Sequence, residues 1–210
     1  HQPLKQARIP DSPPPVFPVP TGEPRPAWSV MIPVFNSARY LTQALKSVLA
    51  QDPGQEHMQI EVVDHCSTDG DIEKLVREIG KGRVLYYSQP QNVGSVRNFE
   101  TCLNRSRGHI VHLLHADDLV RPGFYKKLDS LFRQYPHAGA AYTNYATVDE
   151  NGKYLYSNHA QAKTDGVLSE FFFRISIESS IQYGCVAVKR EVYEKLGAFF
   201  GVIYGEDWEM

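Results

Sequence analysis

The stretch SVMIPVFNSARYLTQALKSVL, residues 29–49, decides the fold. It opens on the β-rich run Ser29–Val34, which breaks off around Pro33 and Asn36. From Tyr40 onward Leu41, Ala44, Leu45, Val48 and Leu49 fall at helical spacing. The strand does not alternate polar with apolar, so it is expected to be buried on both faces. Working outward, the same unit recurs. Ile60–Val63 reads as a short buried strand ending at Asp64, and Ser67–Gly70 as a capping loop with Asp69 capping the helix Ile72–Ile79. Val84–Tyr87 reads as a strand, Ser95–Leu103 as a helix before Gly108, and Ile110–Leu114 as a strand. Gly123–Phe132 is again helical and Ala138–Val148 strand-like. This alternation predicts an α/β domain with a mostly parallel sheet flanked by helices. Ligands of such sheets bind beyond the carboxyl ends of the strands. Asn36, Asp64 and Asp117 all stand at such ends, which places them on one rim.

Past Val148 the pattern weakens. Asn151–Gly152 signals a hairpin, and Gly166–Ile175 reads as a helix with Phe171, Phe172 and Phe173 packing into the core. Cys185–Val188 reads as a strand and Arg190–Leu196 as a helix closed by Gly197. At the other end, residues 1–26 hold nine of the 14 prolines and are expected to be a disordered linker, with the folded domain over residues 27–210. Beginning on His1 and stopping in mid-pattern at Met210, the chain reads as a fragment, with the domain incomplete at its C-terminus.

Bulk properties narrow the classes. Among 210 residues 42% are hydrophobic and 22% charged, the composition of a globular α/β domain. A formal net charge of -2 argues against a nucleic-acid partner, which calls for a basic face. Cys66, Cys102 and Cys185 form no CxxC pair, so neither a disulfide framework nor a zinc ribbon is indicated, and a reducing compartment is expected. No apolar run reaches the roughly 18 residues of a membrane helix, and the first 26 residues lack the apolar core of a signal peptide.

The carboxylates carry the chemistry. Asp117 and Asp118 end the apolar run Ile110–Ala116, Asp64 ends another, and Glu206–Asp207 follow much later. Buried carboxylates are costly unless paired, hydrogen-bonded or bound to a cation. Several on one rim suit a divalent cation with oxygen ligands, Mg²⁺ or Mn²⁺, bridging a diphosphate. The plainer reading of Asp117–Asp118 is a helix cap. A zinc site from His109, His112 and His115 is excluded by strand alternation, which puts His112 on the opposite face from the other two.

Five ordered motifs make the reading specific. SVMIPVFNSARYLTQALKSVLAQ (29–51), VVDHCSTDG (62–70), QNVGSVRN (91–98), LLHADDLVRPGF (113–124) and YGEDWEM (204–210) together resemble the family 2 glycosyltransferases of the GT-A fold. The resemblance implies inverting transfer of a sugar from a nucleotide-diphosphate donor to a hydroxyl of a glycan, lipid-linked or other acceptor. It implies that Pro33, Phe35 and Asn36 hold the nucleotide, that Asp64 contacts the base, and that Arg97 lies near the nucleotide. The family's Asp-x-Asp falls on His115–Ala116–Asp117, making Asp117 the expected ligand of Mn²⁺ or Mg²⁺, with Asp118 beside it. The late pair falls on Glu206 and Asp207, with Asp207 as the catalytic base. Two positions depart from the pattern: His65 and His115 stand where the family usually has Asp, both at the nucleotide site. The rival implied by those departures is a catalytically impaired domain that binds sugar nucleotides or a partner. The expected setting is cytoplasmic, with peripheral association at the inner face of a membrane. A nucleotidylyltransferase or a dinucleotide oxidoreductase would need a Gly-rich loop after the first strand, and PVFNSARY (33–40) supplies none.

Overall fold

The computed structural model describes residues 12–177 and 181–199. Strand β1 (Trp28–Val34) is followed by α1 (Ala38–Leu49), β2 (Met58–Asp64), α2 (Ile72–Gly80), β3 (Leu85–Ser88), α3 (Ser95–Arg105) and β4 (Ile110–Leu113). Then come α4 (Phe124–Gln134), β5 (Ala140–Tyr142), β6 (Ala146–Val148), β7 (Tyr154–Ser157), α5 (Phe171–Ile177), β8 (Val186–Lys189) and α6 (Arg190–Leu196). The main sheet runs β3-β2-β1-β4-β8-β5. The β1–β2, β2–β3 and β1–β4 pairs are parallel, and β8 is antiparallel to both β4 and β5. The expected mostly parallel α/β sheet is present, with an antiparallel edge.

Both faces of β1 and β2 are covered. Val30, Ile32 and Val34 pack with Leu41, Leu45, Ile60 and Val76, while Met31 and Val63 pack with Phe99, Leu103 and Val111 on the other side. Burying a Leu, Ile or Val side chain is worth roughly 1.5–3 kcal/mol, so these two layers dominate stability. Under α3 the outward positions of β2 are polar but satisfied. Gln59 donates to Glu61 at 2.9 Å and Arg105 pairs with Glu61 at 2.5 Å, while its guanidinium lies 3.8 Å over the Tyr87 ring.

Three local expectations are corrected. The Ala138–Val148 run is not one strand: it splits into β5 in the main sheet and β6, which pairs with β7 in the hairpin announced by Asn151–Gly152. The Phe171–Phe173 run is not core. Its rings are 43%, 85% and 63% exposed on a helix with no buried residue. Nor is the proline-rich stretch a loose linker over its described part. Val16 is buried against the α3 side, and Ala198 donates to the Pro14 carbonyl at 2.7 Å. Asn104 accepts from the Phe17 amide at 3.0 Å, and the buried Arg190 guanidinium donates to the Phe17 carbonyl at 2.9 Å. Prolines remove donors but not carbonyls, so a strap can be tied down through its acceptors. Among the described residues no helix is long and apolar enough to cross a membrane.

Candidate functional site

The strand ladders decide where a ligand can enter. β1 pairs with β2 as far as Val34↔Asp64, but with β4 only as far as Met31↔Leu113. Pro33 lies beyond the last β1–β4 pair, on the side that has lost its neighbour, so its missing N–H costs no ladder bond. The chain moves one way across the sheet through β1, β2 and β3, then returns to β4 on the other flank of β1. The carboxyl ends of β1 and β4 therefore part at the point where strand order reverses, the place where open α/β sheets bind ligands.

On one side stand the loops after β1 and β2. Asn36 adopts φ 51°, a left-handed conformation that asparagine tolerates. Its Oδ1 accepts from the Thr68 amide at 2.8 Å, and its own amide donates to Ser67 Oγ at 3.0 Å. Asp64 is buried, with Oδ1 accepting from the Ser67 amide at 3.1 Å and Oδ2 from the Tyr86 hydroxyl at 3.0 Å. Burial, reinforced by that bond, pushes the Tyr86 phenol up to about 12, so it remains a donor at neutral pH. Phe35 is half exposed and meets the His65 ring edge-on at 5.8 Å, while Pro33 is buried beneath the loop. His65 is buried. Desolvation pulls its imidazole below the ordinary value, opposed by the Asp64 charge, and Nε2 accepts from the Val93 amide at 2.5 Å. Asp69 does not cap α2 as expected. It reaches back to the Ala38 amide at the start of α1, at 2.9 Å, and Asp71 caps α2 by accepting from Lys74 at 2.9 Å.

On the other side the chain turns after β4, with the Asp118 amide donating to the His115 carbonyl at 3.0 Å. This turn brings one ligand atom each of His115, Asp117 and Asp118 within 4.8 Å of one another. The His115 ring stacks on Phe99 at 5.3 Å, and its Nε2 is buried with no hydrogen-bond partner. Burial raises the Asp118 carboxyl pKa, His115 opposes the rise and the Asp117 charge adds to it. A Cβ on Gly184 would lie 2.5 Å from Asp118 Oδ2, so a glycine there leaves the carboxylate its place. The Gly184 carbonyl is in turn held by the fully buried His112, at 3.2 Å from Nε2, whose Nδ1 takes the Tyr125 hydroxyl at 3.2 Å.

An imidazole and two carboxylates whose ligand atoms lie within 4.8 Å of one another fit a divalent cation with mixed nitrogen and oxygen ligands, of the Mn²⁺ kind. His115, Asp117 and Asp118 are the residues that could hold it. Arg97, in the first turn of α3, pairs with Glu100 at 2.5 Å and donates to the Phe199 carbonyl at 3.4 Å. Glu206 and Asp207 themselves lie outside the described residues. Tyr86 and Gly184 carried no sequence signal, whereas Ser67 and Thr68 stood within the VVDHCSTDG motif and were legible there. A separate apolar cavity of about 970 Å³, lined in part by Leu131, Tyr142, Val167, Phe171 and Val192, contains none of the rim residues.

Comparison with known proteins gives this rim its family. Residues 29–197 match the family description "Glycosyl transferase family 2". The chain belongs to that family. It is 28% identical over 165 residues to an uncharacterized glycosyltransferase of Rickettsia bellii, covering 78% of this chain and 23% of that protein. It is 32% identical over 139 residues to an N-acetylglucosaminyltransferase of Mesorhizobium japonicum, covering 65% of this chain and 32% of that one. The chain thus spans under a third of the length of either relative. Among solved structures, S. aureus TarS 1-349 in complex with UDP superposes with a TM-score of 0.70 at 20% identity, over 86% of this chain and 52% of that one. The mannosyltransferase PcManGT of Pyrobaculum calidifontis, in complex with GDP-Man and Mn2+, gives 0.62 at 23% identity over 95% and 54%. These likenesses bear out the GT-A fold.

Proposed function

We propose that this chain is the donor-binding domain of an inverting glycosyltransferase, moving a sugar from a nucleoside-diphosphate sugar to a hydroxyl of a glycan or lipid-linked acceptor. The observation that carries the reading is the pairing, across the β1–β4 split, of a rigid loop pair with a cluster of cation ligands. Asn36, Phe35 and Asp64, with Pro33 beneath them, hold the nucleotide. The tied carboxylate of Asp64 is an acceptor for base N–H groups. His115 and Asp117, with Asp118, would hold the cation, and Arg97, in the first turn of α3, would lie near the nucleotide. A bound divalent cation supplies charge neutralisation of the leaving diphosphate. Asp207, with Glu206 beside it, takes the proton from the acceptor hydroxyl as the new bond forms. Attack from the face opposite the leaving group inverts the anomeric centre. The UDP complex of TarS and the GDP-Man and Mn2+ complex of PcManGT support a nucleoside-diphosphate donor and a divalent cation. A lipid-linked acceptor would draw the protein to the cytoplasmic face of a membrane as a peripheral partner.

The test is thermal stabilisation of the full-length protein by a panel of UDP- and GDP-sugars, with and without Mn²⁺. Stabilisation that needs the metal, followed by transfer to an acceptor, supports the proposal. Stabilisation without turnover assigns the chain to the impaired, binding-only class. No stabilisation by any nucleotide sugar overturns it.

A further inference from the structure

We propose that His65 is a positioning residue, whose imidazole holds the Gln91–Gly94 loop as one wall of the donor pocket. This assignment rests on the reading of the rim as a donor site. The loop joins β3 to α3 and is exposed throughout, Val93 included at 41%. Both of its ends are fixed. Before it, the Gln89 amide donates to the Asp64 carbonyl at 2.8 Å, and the Gln89 side chain donates to Thr101 Oγ1 at 2.6 Å. After it, the buried Asn98 of α3 donates to the Val63 carbonyl at 3.1 Å. Between those ends, among the described residues, the tie to the body of the domain is the Val93 amide donating to His65 Nε2. Asn92 bonds only within the loop, accepting from the Gly94 amide at 3.2 Å.

The chemistry of the bond defines what residue 65 must be. A backbone N–H can only donate, so Nε2 must be the unprotonated nitrogen and the proton must sit on Nδ1. The ring is also wedged against Phe35, so one side chain joins the loops after β1, β2 and β3. A carboxylate in its place could accept, but it is shorter than an imidazole and would set a second negative charge beside Asp64. A neutral acceptor of imidazole length avoids both penalties. Removing it leaves the Val93 amide free to turn to water, so the loop loosens while the sheet beneath, held by Asp64, Asn98 and Gln89, stays in place.

The experiment compares the full-length parent with His65→Leu and His65→Gln, reading the Kd of UDP or GDP with Mn²⁺ and the donor KM and kcat. Loss of one positioning hydrogen bond, worth about 1.5 kcal/mol at most, corresponds to roughly tenfold. His65→Leu should raise Kd and KM by roughly three- to tenfold with kcat within about twofold, and His65→Gln, whose Oε1 reaches where Nε2 stood, should restore most of the affinity. Parent-like affinity in His65→Leu overturns the assignment while leaving the donor site intact. So does a His65→Gln defect as large as that of Leu, which would mark the ring as packing only. Should His65→Leu fail to fold, Val93→Pro removes the same bond from the donor's side and should show the same split; parent-like affinity there also overturns it. A parent that binds neither nucleotide sinks the donor-site reading and this assignment with it.

Discussion

His112 makes a quantitative prediction, because the structure forces it to stay uncharged. It is fully enclosed between Tyr125 and the Gly184 carbonyl. Burial lowers its pKa from 6.5 to about 4; the Gly184 bond works against that shift and the nearby His115 works with it. Above pH 6.5 the folded and unfolded chains both carry a neutral ring, and stability is complete. Between 6.5 and about 4 the unfolded chain takes up a proton that the folded chain refuses, so stability falls as pH falls. Below about 4 both forms are protonated and the loss levels off. At 1.36 kcal/mol per pKa unit the loss across this window is about 3 kcal/mol, a large part of a typical domain's stability. The assay is urea unfolding of the parent and of His112→Gln at intervals from pH 7 to pH 4. The variant is less stable at pH 7, since the Tyr125 and Gly184 partners are disturbed. Its stability should nevertheless fall less steeply, by about 3 kcal/mol over the window. Parallel curves for the two proteins would refute the claim that His112 is neutral in the fold.

The other predictions concern the rim. Asp117→Asn should remove most Mn²⁺-dependent nucleotide binding, because an amide is a poor charge partner for a cation; titration calorimetry with unchanged affinity would rule Asp117 out as a ligand. His115→Asp should shift preference from Mn²⁺ toward Mg²⁺, which favours oxygen ligands, and equal Mn²⁺/Mg²⁺ affinity ratios in both proteins would show that His115 does not touch the metal. Gly184→Ala should displace the Asp118 carboxylate and weaken Mn²⁺ binding several-fold, since the added Cβ would lie 2.5 Å from its Oδ2 and 3.0 Å from its Cγ; unaltered Mn²⁺ affinity would show that Asp118 is dispensable. Asp207→Asn in the full-length protein should slow transfer by roughly 10²–10⁴-fold while donor affinity holds, and near-normal transfer would remove it from the mechanism.

The order of strands and helices was legible in the sequence because it rests on local periodicity. The helical spacing in Leu41–Leu49 and the mainly apolar, fully buried runs in β1, β2 and β4 state which surfaces must be covered. The end of each run places Asn36, Asp64 and Asp117 at strand termini. The same signal misled where a hydrophobic pattern says that a face is apolar but not what will cover it. Phe171–Phe173 stayed outside for that reason, and Val16 found a core across 80 or so residues of intervening chain, among α3 residues such as Phe99 and Leu103.

What only the tertiary structure decided are contacts between residues far apart in sequence. The split between β1 and β4 depends on two ladders of unequal length, and no single strand encodes that difference. Asp69 bonds the start of the helix before it rather than after it because the β1 and β2 loops lie side by side. The His65–Val93 bond, the Tyr86–Asp64 bond and the space that Gly184 leaves for Asp118 follow the same rule. Residue type sets what each side chain can donate, accept or ligate. Which partner it meets is decided by chain packing, because hydrogen bonds and close contacts act over a few ångströms of space, whatever the separation along the chain.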